Sequence, residues 1–267
     1  MSYKPPRRPQ FFYTTAPLPC PYLPGRTERK VVTEITGPDA DQLHDRLSRA
    51  GFRRSHNIAY APVCPGCSAC VPIRIPVGLF SLDRGLKRVL KANDGTTGAE
   101  QPARATAEQY QLFQRYQQAR HFDGDMATMS FYDYRAMVED TPIDSLMVEF
   151  RDANQRLVGA CLTDRLGDGL SAVYSFFDPL LDRRSPGTFM ILWLIERARQ
   201  LTLPHVYLGY WVQESRKMAY KARFKPSEIL VAGIWRIAPD LPAEQAGHAP
   251  QASAAASPQA TTKVSVG

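Results

Sequence analysis

The sequence has no run approaching the roughly eighteen consecutive apolar residues of a membrane-spanning helix, and its opening segment MSYKPPRRPQFFYTT lacks the apolar core of a signal peptide. A cytoplasmic protein with no membrane partner is the expectation. Cysteine is scarce: Cys20, Cys64, Cys67, Cys70 and Cys161 make an odd set of five, which argues against a disulfide framework. There is no GxxxxGK[ST] phosphate loop, so nothing points to ATP-driven chemistry. A basic Gly-rich Q/R-x-x-G-x-G/A loop is also missing, which argues against an N-acetyltransferase using acetyl-CoA. The five histidines show no Ser/His/Asp pattern, and no internal repeat is visible.

What is present suits a globular chain. Its 267 residues are 44% hydrophobic and 22% charged, enough for a substantial core, and the net charge of +7 with pI about 9.2 fits a polyanionic partner. The spacing predicts a strand over 28–35, a helix from Asp39 to Ala50 stopped by Gly51, extended chain over 52–60, a strand over 70–77 and a short basic helix over 84–93. DGTTGAEQP, ending at Pro102, has linker composition, so a boundary is expected over 94–103. Two helices follow, over 106–120 and 132–138, then three strands over 145–150, 157–164 and 170–177 joined by short turns as an antiparallel meander. An apolar helix over 187–201, a strand at Val206, a helix over 215–224 and a strand over 229–234 complete the order. Segment 239–267, rich in Ala, Pro, Gln, Ser and Thr, is expected to be disordered. The expected organisation is therefore a cysteine-containing subdomain (1–93), a linker (94–103), a catalytic domain (104–238) and a tail.

Three antiparallel strands feeding a helix and a further strand is the scheme of GNAT-type acyltransferases, in which the acyl donor lies where the central strands splay. The fold expected is α+β, a GNAT-like domain behind an α/β cysteine-containing subdomain. Ser185 and Gly187, at the start of the apolar helix, could offer backbone N–H groups to a phosphate, and Gly187 reads equally as the mere start of a buried helix. Between Tyr207 and Pro226, YLGYWVQESRKMAYKARFKP interleaves aromatics with cations. That mixture suits stacking of unpaired bases and neutralisation of phosphates, and it also reads as an ordinary amphipathic helix with solvated cations.

Read together, CPYLPGR at 20–26, GFRRS at 51–55, YAPVCPGCSACVPIRI at 60–75, SAVYSFFDP at 171–179 and the strip at 207–226 resemble the bacterial aminoacyl-tRNA–protein transferases of the aspartate/glutamate leucyltransferase group, similar to the arginyltransferases. The resemblance implies transfer of an amino acid, leucine first and arginine as runner-up, from aminoacyl-tRNA to the α-amine of a protein beginning with Asp or Glu. The product would be an N-degron. A non-enzymatic RNA-binding module is the alternative of another class. An aminoacyl ester is already activated, so direct attack by the amine is expected, with no cofactor required. Recognition of an acidic side chain calls for a guanidinium. Arg53, Arg54 with Ser55, and Arg74 are the candidates, with Arg54 first, against readings as solvated residues or tRNA contacts. For the tRNA, Tyr210 and Trp211 would stack on terminal nucleotides, Lys217 and Lys221 would meet phosphates, and Met218 and Tyr220 would share the surface. Tyr174 and Phe176 would face the acyl pocket or the core. Cys64, Cys67 and Cys70, with Cys20 as a fourth thiolate, could hold zinc or an iron–sulfur cluster, or be structural. Two positions depart from the family pattern: Gly85-Leu86, which weakens the start of the basic helix, and Pro186.

Overall fold

The structure, a computed structural model, describes residues 9–122 and 124–239; the expected tail at 239–267 lies, beyond Pro239, outside the described residues. The N-terminal part contains β1 (Tyr13–Thr14), β2 (Leu18–Pro19), β3 (Thr27–Glu28), β4 (Lys30–Glu34), α1 (Ala40–Arg49), β5 (Arg53–Ser55) and β6 (Ile58–Pro62). Four of these strands form a sheet in the order β1-β4-β6-β5, and β2 pairs with β3 alone. Ile35, Ala40, Leu47 and Ala59 close a small core beneath α1 that also takes in Ile143.

The rest of the chain builds one larger unit. Its elements are β7 (Val71–Pro76), α2 (Arg84–Ala92), β8 (Thr97–Pro102), α3 (Ala107–Arg120), α4 (Phe131–Glu139), β9 (Ser145–Arg151), β10 (Leu157–Leu166), β11 (Gly169–Phe177), α5 (Pro186–Gln200), β12 (His205–Trp211), α6 (Arg216–Ala219), β13 (Glu228–Val231) and β14 (Ile234–Ile237). They supply an eight-stranded mixed sheet, β14-β13-β7-β12-β11-β10-β9-β8. Side chains alternate across a strand, so successive residues of β9 serve two cores. Leu146, Val148 and Phe150 pack with α2 and α5, whereas Met147 packs with Leu112 and Phe113 of α3 and Tyr134 of α4. The helix starts are chemically marked: Thr106 and Ser130 form capping boxes on α3 and α4. Asp83 caps α2 by accepting from the Leu86 N–H at 2.7 Å, which secures the start that Gly85 weakens. No helix among the described residues is long and apolar enough to cross a membrane.

Three expectations are corrected. Residues 94–103 are not a linker, because Thr97–Pro102 pairs antiparallel with β9 along the sheet edge. Gly98 reflects packing there, since a Cβ would stand 2.5 Å from Trp193 Nε1. Nor does the N-terminal part end at 93: β7 pairs with β12 and β13 inside the large sheet, so the change of sheet falls in the cysteine loop between β6 and β7. Finally, the helix over 215–224 shortens to α6 followed by a 3-10 turn, Tyr220–Arg223, and the last strand is a hairpin, β13–β14.

Candidate active site

The cleft arises where two strands part. β11 and β12 run parallel and pair only at Gly169–His205, Leu170–Val206 and Ser171–Tyr207. Beyond that point β12 shifts register against β7 between Tyr207 and Gly209, and Gly209 takes φ +78°. The Arg53 guanidinium enters the gap from β5, with Nη2 donating to the carbonyls of Ala172 at 3.1 Å and Val173 at 2.8 Å. It thereby satisfies backbone acceptors that the splay would otherwise leave bare. A Cβ on residue 209 would stand 1.4 Å from Arg53 Nη1, so glycine is required both by its dihedral and by the guanidinium lying on it.

The resulting cleft has a volume of about 560 Å³. β11 contributes Tyr174 and Ser175, α5 contributes Met190, Ile191 and Leu194, and β12 contributes Leu208 and Tyr210. Tyr174 is half-buried and its hydroxyl accepts from Gln117 Nε2 at 2.6 Å; burial pushes the phenol pKa up. Cys161 also lines the cleft, and burial pushes its thiol up to about 11, which keeps it protonated and a poor nucleophile at neutral pH.

The strip at 207–226 divides differently from its expected role. β12 continues through the Gly209 bulge, so Tyr210 and Trp211 are strand residues and buried, 4% and 6% exposed. Neither offers a free stacking face: the Tyr210 hydroxyl lies 2.9 Å from the Gly51 carbonyl and 3.1 Å from that of Tyr60, and Trp211 packs in the main core. Lys221 is likewise buried, and its Nζ donates to the Tyr210 carbonyl at 2.6 Å rather than meeting a phosphate in solvent. Burial, then the Arg53 charge, holds its pKa well below the lysine range. Lys217 and Tyr220 are exposed and Met218 half-buried where they line the cleft. Phe176 is core, packed on Phe113 and Tyr134. Ser185, a left-handed residue preceding α5, and Gly187, whose Cβ would meet the Phe177 ring, are not part of the cleft lining.

Arg53 and Arg54, neighbours on one strand, face opposite ways. Arg54 is 4% exposed and gives a bidentate pair to Asp164, Nε to Oδ2 at 2.8 Å and Nη2 to Oδ1 at 2.6 Å, with Nη1 donating to the His56 carbonyl. His44 Nε2 lies 3.1 Å from the same carboxylate, to which Ser145 Oγ donates at 2.7 Å. Burial disfavours the Asp164 carboxylate, yet the hydrogen bonds from Arg54 and His44 prevail and hold its pKa at about 2. Arg54 therefore has no free fork for a substrate carboxylate. Arg74 is committed too: Nε donates to Glu228 at 2.7 Å, Nη1 to the Tyr207 hydroxyl at 3.0 Å, and its guanidinium lies 4.4 Å from the Trp235 ring centroid. Ser55 is exposed beside His56 and does not line the cleft. Of the four residues expected at an acidic substrate, only Arg53 reaches the cleft.

Comparison with known proteins decides the family. The arginine-tRNA-protein transferase N-terminal family matches residues 18–88, and its C-terminal counterpart matches residues 108–231. The aspartate/glutamate leucyltransferase of Gluconacetobacter diazotrophicus is 67% identical over 235 residues, 88% of this chain and 90% of that protein. That of Paramagnetospirillum magneticum is 62% identical over 236 residues, 88% and 97% of the two chains. The chain belongs to the aspartate/glutamate leucyltransferase family. It is an aminoacyltransferase, and the matched segments carry Arg53 on one side and the splayed strands, α5 and Lys221 on the other. Among solved structures, L-PGS from Bacillus licheniformis matches at a TM-score of 0.45 and 9% identity over 63% of this chain and 58% of that one. FemX matches at 0.42 and 10% over 67% and 62%. Neither likeness is close enough to define the fold further.

Four cysteines of this leucyltransferase-family chain sit behind the cleft. Cys20, Cys64, Cys67 and Cys70 line a second, smaller cavity of about 60 Å³, which shares Tyr22, Tyr60 and Tyr210 with the cleft. The Arg29 N–H donates to Cys64 Sγ at 3.3 Å and Arg26 Nη1 to Cys67 Sγ at 3.4 Å. Burial, with the neighbouring thiols, pushes Cys70 up to about 11. The donor set suits a thiolate site. As they stand, however, no three His, Cys, Asp or Glu side chains among the described residues are grouped to hold a metal ion. The residues missed in the sequence are Asp164, which neutralises Arg54, His44, which bonds the same carboxylate, and the tyrosines at 22 and 60. An acidic residue inside a run as apolar as LVGACLTDRL was the available signal for the first.

Proposed function

We propose that this aminoacyltransferase moves leucine from leucyl-tRNA to the α-amine of proteins beginning with Asp or Glu, in the cleft between the parting strands β11 and β12, as a GNAT-like fold would. The observation that carries the donor is the wall of Met190, Ile191, Leu194 and Leu208, which suits an aliphatic side chain. Among the described lining residues the one carboxylate is Asp125, exposed in the loop after α3, so an arginyl side chain would find no buried counter-ion. The acceptor amine has an ordinary pKa of about 7.7–8.0 and is appreciably neutral in the cytoplasm, the compartment we assign to the reaction. Holding it against the activated ester can supply roughly 7–11 kcal/mol of the barrier. Attack is direct, because the buried Cys161 thiol stays protonated.

Arg53 is the reader of the acidic side chain: Nη2 is held by the two β11 carbonyls, while Nε and Nη1 make no hydrogen bond among the described residues. Lys217 and Tyr220, on the exposed rim, suit the phosphates and bases of the acceptor end. The four thiols are a candidate zinc or iron–sulfur site, checked by metal analysis of anaerobically purified protein. The assay that tests the function presents an Asp-starting peptide with leucyl- and arginyl-tRNA side by side. Transfer of leucine well above arginine is expected; the reverse order, or tRNA binding without transfer, rejects the reading.

A further inference from the structure

Lys221 is a lysine in an unusual place. Lysine is almost never buried without a counter-ion. Here the side chain is 5% exposed, lines the cleft and has one described hydrogen bond, to a neutral acceptor, the Tyr210 carbonyl. No ion pair to it occurs among the described residues, and the Arg53 guanidinium reaching in from β5 opposes a positive charge on it. The other titratable groups of the lining are the Cys161 thiol of β10, Lys217 of α6, His121, the exposed Asp125 and the phenols of Tyr22, Tyr60, Tyr116, Tyr174, Tyr210 and Tyr220, with the Cys70 thiol behind the cleft. Burial raises the pKa of the Cys161 thiol and of the Tyr210 phenol, so these groups offer protons rather than negative charge near neutral pH. The site therefore favours a neutral primary amine in the wall of the cleft. An amine in that state is a poor phosphate ligand and a good proton acceptor.

We propose that Lys221 is the proton carrier of the transfer reaction. The inference rests on the cleft being the transfer site. The neutral α-amine attacks the ester carbonyl; as the C–N bond forms, its nitrogen becomes positively charged, and Lys221 Nζ takes one proton from it. When the tetrahedral intermediate collapses, the bond to the ribose oxygen breaks and Lys221 returns that proton to the departing oxygen. The products are the new amide and a free tRNA hydroxyl, and Lys221 ends neutral. The lining also holds a histidine, His121, half-buried at the end of α3 with its ring edge-on to Tyr116.

The test uses Lys221→Met, which keeps the stem without the amine, and Lys221→Arg, which keeps a donor for the Tyr210 carbonyl but cannot give up its proton. Both are expected to lose about 10²–10⁴-fold in kcat for an Asp-starting peptide, with the Kd for leucyl-tRNA within threefold of the unaltered enzyme and the thermal transition retained. Lys221→Arg with near-normal kcat would show that only a cation is needed and would overturn the proposal, as would loss of the acid limb of the pH profile in His121→Gln but not in the Lys221 variants. If both Lys221 variants unfold, the unaltered enzyme decides. Its kcat is profiled against pH with an ordinary acceptor and with one whose terminal nitrogen is a less basic hydrazine. An acid limb that stays in place, and persists in His121→Gln, supports Lys221; one that follows the acceptor nitrogen, one lost in His121→Gln, or a flat profile contradicts it. Failure of the unaltered enzyme to transfer leucine at all is a distinct outcome, and sinks the function rather than the role of Lys221.

Discussion

Two regions of the molecule each bury basic side chains, and they treat them in opposite ways. Beneath α1, Arg54 is sealed against Asp164, with His44 and Ser145 completing the set, so that every charge has a partner. In the cleft, Lys221 and the half-buried Arg53 have backbone carbonyls as their described acceptors and no carboxylate. A compensated buried charge specifies how elements dock, here the small sheet on β10. An uncompensated one leaves binding capacity and a perturbed proton affinity for something that comes from outside.

The contrast can be broken at several points. The largest effect belongs to the sealed cluster: Arg54→Ala strands the Asp164 carboxylate in the interior and should cost about 3–5 kcal/mol of stability, read as a fall in the denaturant midpoint. Retention of the midpoint with selective loss of transfer would return Arg54 to the substrate site. The cleft should respond through rate instead. Gly209→Ala places a Cβ on the Arg53 guanidinium and strains a residue at φ +78°, and the displaced guanidinium should lower transfer about 10²-fold, near 2.7 kcal/mol of barrier, without contacting substrate itself. Normal rates in Gly209→Ala would mean that Arg53 is not positioned by this bulge.

A smaller effect comes from pH. Folding lowers Asp164 from its ordinary 3.8 to about 2. The unfolded chain therefore binds the extra proton first, and the contribution of the cluster, roughly 2 kcal/mol, is complete above about pH 4 and lost as pH falls toward 2. Acid titration of stability in the unaltered protein should bend in that window, and the bend should be missing in Asp164→Asn.

Much of this was legible in the sequence. The meander and the apolar helix α5 follow from period and turn chemistry, and lie close to where the spacing put them. The cleft was harder, for physical reasons. Adjacent residues on a strand face opposite sides, so Arg53 and Arg54 could not both have met one substrate; which of them did depended on Asp164, more than a hundred residues away in the chain. Tyr210, Trp211 and Lys221 look like surface residues once Gly209 is taken as the end of a strand. The strand instead continues through a bulge, which buries Tyr210 and Trp211 within it, and the Tyr210 carbonyl then accepts from Lys221 Nζ on the 3-10 turn after α6. Similarly, DGTTGAEQP has the composition of a linker because an edge strand under Trp193 needs a small residue at Gly98.

The most direct test of the division between the two regions is the acceptor preference of Arg53→Gln, which keeps one donor for the β11 carbonyls but removes the guanidinium. The kcat/KM ratio between otherwise identical peptides beginning with Asp and with Asn is measured alongside the Kd for leucyl-tRNA. The ratio should collapse toward unity with tRNA affinity unchanged. A ratio that survives the substitution would contradict the assignment of the cleft and its unpaired basic groups to the substrate.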